Sequence, residues 1–420
     1  MTTGAKGLLS KYDDAWLLDG VRTAFADYNA ILGLVSPIDL GIKVAREVFR
    51  RSGVSPADVD TVIAGSMAQA SFDTYMLPRH ISLYSGVPIE VPSHLVQRVC
   101  GTGIEVILQA ADLIKLGKAD LALGVGTESM SRNPIAAYTH RGGFPMGQVE
   151  FKDFLWEALL DPSCNLTMGG TAEALAKRHN ISREEVDIFA ADSFARAVAA
   201  QKGCFLSGEI VPIVSETFEC PGYAPRGIRL PRQVESFAED SHVRPSPLEV
   251  LAKIRPAFGG VQTGGNSSAV VDGAAATLVA SGAFARRHDK KPLARIVAGV
   301  AVGVPPEIMG IGPVAAVRAV LEHSGLRLEQ IDRFEINEAF GAQVLACERE
   351  LGVDHARLNV NGGAIAIGHP LGATGVRLAI TLARELKRSG GRYGIASACI
   401  GGGQGIALLV ENTAGSSAKN

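Results

Sequence analysis

The sequence has no apolar run near the roughly 18 residues that a membrane-spanning helix needs, so no membrane span is expected. Its first residues, MTTGAKGLLSKYDD, contain no apolar signal core, which argues against secretion. Charge of either sign is nearly balanced: 41 Lys and Arg against 43 Asp and Glu give a net −2. That balance gives no electrostatic reason to expect nucleic acid or an anionic membrane as the main partner, although a local basic site for an anionic ligand stays open. No CxxC pair or other metal-binding cluster occurs, and no metal is expected. Dinucleotide and phosphate loops are missing as well. GVGTES and GIGPVA lack the final glycine of GxGxxG, and no GxxxxGK[ST] is present. Six cysteines are spread over a long chain without a secretory signal, so a disulfide framework is not expected. Cys164, Cys204, Cys220 and Cys347 are read as inert small hydrophobes. The lack of a transit-like or SKL ending points to the cytoplasm.

What is present is length and apolar content. At 420 residues with 47% hydrophobic and 20% charged residues, the chain describes a well-packed globular protein of two or three domains. It also repeats itself. SGVSPADVD at 52–60 matches SGLRLEQID at 324–332, an offset of 272 residues (324 − 52). The same offset carries Gly103 to Gly375 and Leu121 to Tyr393. CGTGIEVILQAADLIKLG and its counterpart PLGATGVRLAITLARELKRSG both read as a glycine turn and an amphipathic helix, each leading to an apolar strand. Helices are also expected at DLGIKVAREVFRR and GIGPVAAVRAVLEH. AWLLDGVRTA and LARIVAGVAVG are read as the opening strands of the two copies. Apolar strands alternating with helices predict an α/β sheet covered on both faces, built twice. The stretch between Gly126 and Thr263 has no counterpart in the second copy. It contains a helix over TAEALAKRHN and ISREEVDIFAADSFARAVAAQKG and loop-like sequence, CPGYAPRGIRLPRQ. Such an insertion rides over a sheet end and shapes a binding site. AVVDGAAATLVASG is read as a last helix turn and strand of the first copy. The expected organisation is a first half at 1–128 plus 263–290, an inserted loop domain at 129–262 and a second half at 291–420. The tail NTAGSSAKN is expected to be disordered.

Two strand–helix junctions carry the chemistry. Cys100 stands in QRVCGTG at the start of a helix, where the dipole favours a thiolate. His369 stands in a glycine run, AIGHPLGATG, at the corresponding junction of the second copy, with Pro370 just inside the helix. Two junctions related by a pseudo-twofold axis bring a thiol and an imidazole together, the minimum for an activated cysteine nucleophile. Cys399, in SACIGGGQG, lies at the carboxyl end of the last apolar strand of the second copy, where α/β sheets gather ligands. The glycines after it expose N–H groups suited to an oxyanion. Asn337, in EINEAF, ends a short strand and is either a turn residue or a polar hook for a water. A hydrolase needs one thiol. A second one suits proton transfer at carbon, in making or breaking a bond beside a thioester.

The blocks VCGTG, GTESMS, MGGTAE, GGNSSAVVDGAAA, INEAFGAQ, NVNGGAIAIGHPLGATG and CIGGGQG resemble the thiolase family from about Leu17 to Glu411. The resemblance implies a duplicated, five-layered βαβαβαββ fold with an inserted loop domain. It also implies an acyl-CoA C-acetyltransferase, acting by thiolysis of a 3-ketoacyl-CoA or by Claisen condensation of two acetyl-CoA. Cys100 would be the acylated nucleophile, His369 its activator and Cys399 the acid/base at the α-carbon. His369 with a water held by Asn337, and the N–H groups of Cys100 and Gly401, would form two oxyanion holes. Coenzyme A or acetyl-CoA is implied as substrate, with no tightly bound cofactor. Ser268 would stand near the pantetheine and Arg244 near the adenine nucleotide, with Met168, Phe258, Met309 and Phe340 along the tunnel. The segment HRGGFPMGQVEFKDFLWEALLDP resembles a tetramerisation loop, which favours a homotetramer over a dimer. Gln97 and Thr167 depart from the family pattern, where Asn and a substrate-contacting His are usual, and leave acyl-chain preference open. The rival readings are a ketoacyl-synthase-like condensing enzyme, against which Cys399 speaks, and a non-catalytic acyl-CoA- or lipid-binding relative, against which the intact triplet speaks.

Overall fold

The computed structural model describes residues 6–68, 71–137, 142–147 and 149–414. Residues 1–5, residues 415–420 of the tail expected to be disordered, and His140, Arg141 and Gln148 of the loop assigned to oligomerisation lie outside the described residues.

The first half runs β1 (Leu8–Thr23), α1 (Pro37–Ser52), β2 (Thr61–Gly65), α2 (Leu77–Tyr84), β3 (Ser93–Val96), α3 (Thr102–Lys115) and β4 (Leu121–Glu128). The insertion contributes α4 (Met168–Arg178) and α5 (Arg183–Lys202), and β5 (Val271–Ser281) closes the half. The second half runs β6 (Ala294–Gly303), α6 (Gly312–Ser324), β7 (Arg333–Ile336), α7 (Gly341–Leu351), α8 (Leu371–Ser389), β8 (Tyr393–Ile400) and β9 (Gln404–Glu411). Strands β4 and β8 begin and end at residues related by the 272-residue offset. Helices α1 and α6 each end in a left-handed glycine, Gly53 and Gly325, one offset apart, a conformation a side chain would strain.

The strands form one hydrogen-bonded path in the order β7-β8-β9-β6-β1-β5-β4-β2-β3. Each half is mixed: β2 lies parallel to β3 and β4, and β7 parallel to β8, while the remaining pairs are antiparallel. The halves join along β1 and β6, where Leu8–Lys11 and Ala15–Leu17 pair with Ala294–Ala301. The path wraps around α3 and α8, giving five layers. Alternation along the strands shows why. In β4, Leu121, Leu123 and Val125 pack outward with α1 and α2, while Ala122 packs inward with Ile107 of α3 and Leu382 of α8. On the far side α6 and α7 cover the second half, joined by Phe189 and Phe194 of α5.

α3 and α8 cross where no side chain intervenes. A Cβ on Gly103 would sit 2.7 Å from the Gly375 backbone nitrogen and 2.5 Å from that of Val376. One on Gly375 would strike the Ile104 nitrogen. These glycines are offset partners, so the pseudo-twofold axis passes between them.

Several expectations need correction. β3 has a helical turn, Ala364–Ile367, in its place in the second half, so His369 follows a short helix rather than a strand. Pro370 is the N-cap of α8, one residue before the first helical position. The helix expected over 171–203 is two, parted at Asn180, whose φ of 49° ends α4. β1 starts seven residues before Ala15 (15 − 8 = 7) because its N-terminal part pairs with β6. Within CPGYAPRGIRLPRQ, Arg226–Ile228 pairs with Glu216–Phe218 as a hairpin. The residues before Val271 are irregular backbone rather than a helix turn.

Candidate active site

Cys100 sits in a single 3-10 turn, Val99–Gly101, between β3 and α3. Val99 is held at φ 43°, a strained setting for a β-branched residue. The Thr102 hydroxyl accepts from the Arg98 N–H at 2.9 Å and donates to the Val99 carbonyl at 2.6 Å, which fixes the turn. The backbone N–H groups of Gly401 and of Cys100 itself are directed at the thiol sulfur. Burial nonetheless pushes the thiol up to about 11. Desolvation thus opposes the pull toward the thiolate that the helix start and these N–H groups exert.

His369 is placed by its own loop. Its N–H donates to the Ala269 carbonyl at 3.0 Å, and Gly368, at φ 105°, backs onto Val271 where a Cβ would clash. Nδ1 meets Thr374 Oγ1 at 2.6 Å and Nε2 meets Asn337 Nδ2 at 3.3 Å. Burial, reinforced by the Arg377 guanidinium, brings the imidazole down to about 3. Asn337 is anchored through its N–H to the Ser397 carbonyl at 2.9 Å, and its Oδ1 is buried with no protein partner, as a hook for a donor requires. The neighbouring Glu338 carboxylate accepts from Ser193 Oγ, Asn359 Nδ2 and the Ile365 N–H, tying α5 to the His369 loop.

Cys399 lies at the end of β8, fully buried against Met168, Met309 and Ala339. Burial, then the nearness of Cys100, pushes its thiol well above the usual range. The following turn carries Gly402 and Gly403 at φ 83° and 84°, which turns the Gly401 N–H toward Cys100. A further carboxylate, Glu128 at the end of β4, accepts from the N–H groups of Met67 at 2.8 Å and Gly372 at 2.9 Å. It thereby clamps the first turn of α8 to the first half. Among the described residues, no group of three or more His, Cys, Asp or Glu is placed to hold a metal ion.

A cavity of about 240 Å³ reaches this cluster at His369, with Met168, Phe258, Ser268 and Phe340 also in its wall; Cys100 and Cys399 are not among its lining residues. Phe258 and Phe340 meet edge to face at 6.2 Å. Met309 stands behind the wall beside Met168. Arg244 is not in the wall: it lies over the Phe194 ring at 5.8 Å and donates to the His242 carbonyl. Thr167 lines the cavity and caps α4 through the Gly170 N–H. Gln97 lines a second hollow with Met67, Val99 and Glu157. Sequence reasoning did not single out Trp156, Leu159 and Leu371 of the wall, nor Thr374. Only Thr374 left a signal, its position one helical turn after Pro370.

Two thiols, an imidazole and converging N–H donors at the meeting of two duplicated halves define an acyl-transfer site of the cysteine type. The thiolase N-terminal domain profile matches residues 16–283 and the thiolase C-terminal domain profile residues 290–412. The human mitochondrial 3-ketoacyl-CoA thiolase is 41% identical over 94% of this chain and 97% of its own. Beta-ketothiolase BktB of Cupriavidus necator is 41% identical over 94% of this chain and 98% of its own. The crystal structure of the human enzyme in complex with CoA superposes with a TM-score of 0.89 at 40% identity, covering 95% of this chain and 98% of that one. The chain belongs to the thiolase family, and is an acyltransferase.

Proposed function

We propose that this enzyme cleaves a 3-ketoacyl-CoA with coenzyme A, and runs the reverse condensation of two acetyl-CoA, through an acyl group on Cys100. The observation that carries the reading is His369, held between Thr374 and Asn337 in the wall of the cavity, in a chain that both thiolase domain profiles match. In thiolysis, His369 Nε2 takes the Cys100 proton as the sulfur attacks the keto carbon. The bond between the α- and β-carbons breaks, and the acetyl-CoA carbanion takes the proton of Cys399. The Cys399 thiolate then takes the imidazolium proton from His369, coenzyme A gives its thiol proton to His369 Nε2 as it attacks the acyl-cysteine, and the departing Cys100 sulfur recovers that proton. All three groups return to their starting states. Asn337 holds a water that joins His369 Nε2 at one carbonyl oxygen, and the two N–H groups hold the other. Coenzyme A is the substrate, with no tightly bound cofactor. Ser268, Met168, Phe258 and Phe340 line its pantetheine and acyl path, Met309 backs Met168 from behind the wall, and Arg244 meets the adenine nucleotide end.

The inserted segment 129–262 carries CoA binding and assembly. Exposed Ile135, Phe144, Met146, Phe151 and Trp156 favour a homotetramer joined through this segment, with a dimer as the alternative; light scattering after gel filtration decides between them.

The test is loss of ketoacyl-CoA enolate absorbance with free CoA, comparing acetoacetyl-CoA with a medium-chain 3-ketoacyl-CoA. Activity on either is expected, and the kcat/KM ratio assigns chain length. Inactivity on both overturns the reading. Cys399→Ala is expected to abolish turnover while Cys100 still accepts an acetyl group from acetyl-CoA, seen by mass spectrometry. Full turnover in that variant would sink the two-thiol mechanism.

A further inference from the structure

The attack and the departure of Cys100 both ask His369 to gain or lose a proton at Nε2, and the group behind it, at Nδ1, decides whether it can. In this site that group is not a carboxylate. It is the Thr374 hydroxyl, 2.6 Å from Nδ1 and buried with the ring. The hydroxyl is held in place from its other side. Thr374 Oγ1 lies 3.1 Å from the Pro370 carbonyl, one helical turn back, and donating its proton there leaves its lone pairs for Nδ1–H. The same carbonyl receives the N–H groups of Ala373 at 2.8 Å and Thr374 at 3.0 Å, so the first turn of α8 fixes both its position and the hydroxyl's. At the opposite edge of the ring, Nε2 faces the donor Nδ2 of Asn337 at 3.3 Å. A donor at Nε2 and an acceptor at Nδ1 both select one neutral tautomer, with the proton on Nδ1 and the lone pair on Nε2.

We propose that Thr374 is a positioning residue for this reaction: its hydroxyl sets the Nδ1–H tautomer of His369, which leaves Nε2 free to take the Cys100 proton, and then accepts from Nδ1–H of the imidazolium so formed. This rests on the cysteine mechanism proposed above. The balance is simple. The Cys100 S–H bond breaks, Nε2 gains the proton, and the Nδ1–H bond to Oγ1 strengthens as the ring becomes cationic. When the sulfur leaves, the proton returns and the first tautomer is restored. The hydroxyl never gives up its own proton. A neutral acceptor suits a ring that must be uncharged at rest, since a carboxylate at Nδ1 would raise the imidazole pKa and favour the cation more.

The experiment compares Thr374→Val, which keeps the shape and removes the acceptor, with Thr374→Ser, which keeps the hydroxyl. A buried cation losing its hydrogen-bond acceptor costs about 10- to 100-fold in rate. Thr374→Val is expected to lose that factor in kcat and in the rate at which iodoacetamide alkylates Cys100. KM for CoA and ketoacyl-CoA should stay within about threefold, because Thr374 is not in the cavity wall. Thr374→Ser is expected to recover most of both rates. Alkylation needs no turnover, so it separates failure of this inference from failure of the thiolysis reading. Thr374→Val alkylating at the wild-type rate, or Thr374→Ser falling as far as Thr374→Val, overturns the proposal. Should Thr374→Val not fold, nitrogen-15 spectra of histidine-labelled wild type, assigned against His369→Asn, decide the question. A proton on Nδ1 at rest supports the proposal, and one on Nε2 overturns it.

Discussion

Burial holds the Cys100 thiol up to about 11 and the His369 imidazole down to about 3, so the resting pair is neutral. In the proposed mechanism charge separation waits for the substrate, whose developing oxyanion meets N–H groups already in place. A test follows from the sign. A thiol with a raised pKa is protonated below it, and its thiolate fraction grows about tenfold per pH unit. Iodoacetamide alkylation of the free enzyme should therefore keep rising through pH 9, where a preformed thiolate–imidazolium pair would level off near neutrality. The histidine also has a stability consequence. Its folded pKa lies below the ordinary value of about 6.5, so the unfolded chain binds the proton first. Its contribution is present above that value and is lost as pH falls toward about 3. The placement of Cys100, His369 and Cys399 in glycine-rich turns at element ends was legible in the sequence. Their protonation was not. Helix position alone suggested a thiolate, and only the packing of Met67, Met130, Leu155 and Leu371 around Cys100 shows how little solvent is left.

At the scale of elements, the crossing of α3 and α8 sets the distance between the two halves of the site. Gly103 and Gly375 let the helices touch backbone to backbone. Gly375→Ala would force a Cβ against the Ile104 nitrogen, which cannot move as a side-chain tip could. The expected loss is about 1–3 kcal/mol or more, read as a lower midpoint in urea, with activity falling further than stability because Cys100 and His369 are carried on these two helix starts. A midpoint and a kcat equal to wild type would show that the helices can part at the crossing without cost. The repeat predicted both helices and placed these glycines as partners. What it missed is where symmetry is broken. The second copy has a helical turn at 364–367 where the first has β3, because that segment packs against α5 of the insertion, with Gly362 close to Ala197. An insertion with no counterpart cannot be read from the copy that lacks it.

For the whole molecule, one buried charge cluster joins all three parts. Arg22 of β1 pairs with Glu209 at 2.7 Å and Asp240 at 2.6 Å from the insertion, and Glu209 accepts from Thr381 of α8 at 3.0 Å. Removing one partner of such a cluster strands the others away from water, so Arg22→Ala should cost about 3–5 kcal/mol, measured by denaturant titration; a change under about 1 kcal/mol would mean the insertion is held by its apolar contacts instead. These partners lie some two hundred residues apart in the chain, and nothing local marks them. By itself the sequence determined the duplicated α/β order, the junctions that carry Cys100 and His369, and the thiol at the end of β8, because periodicity, glycine spacing and repeat offset are local properties of the chain. Tertiary structure alone decided the neutral resting state of the pair, the Thr374 hydroxyl behind His369, the seam of β1 with β6 and the charges that pin the insertion. Each of these depends on which surfaces exclude water from which groups, and that is settled only when distant segments close on one another.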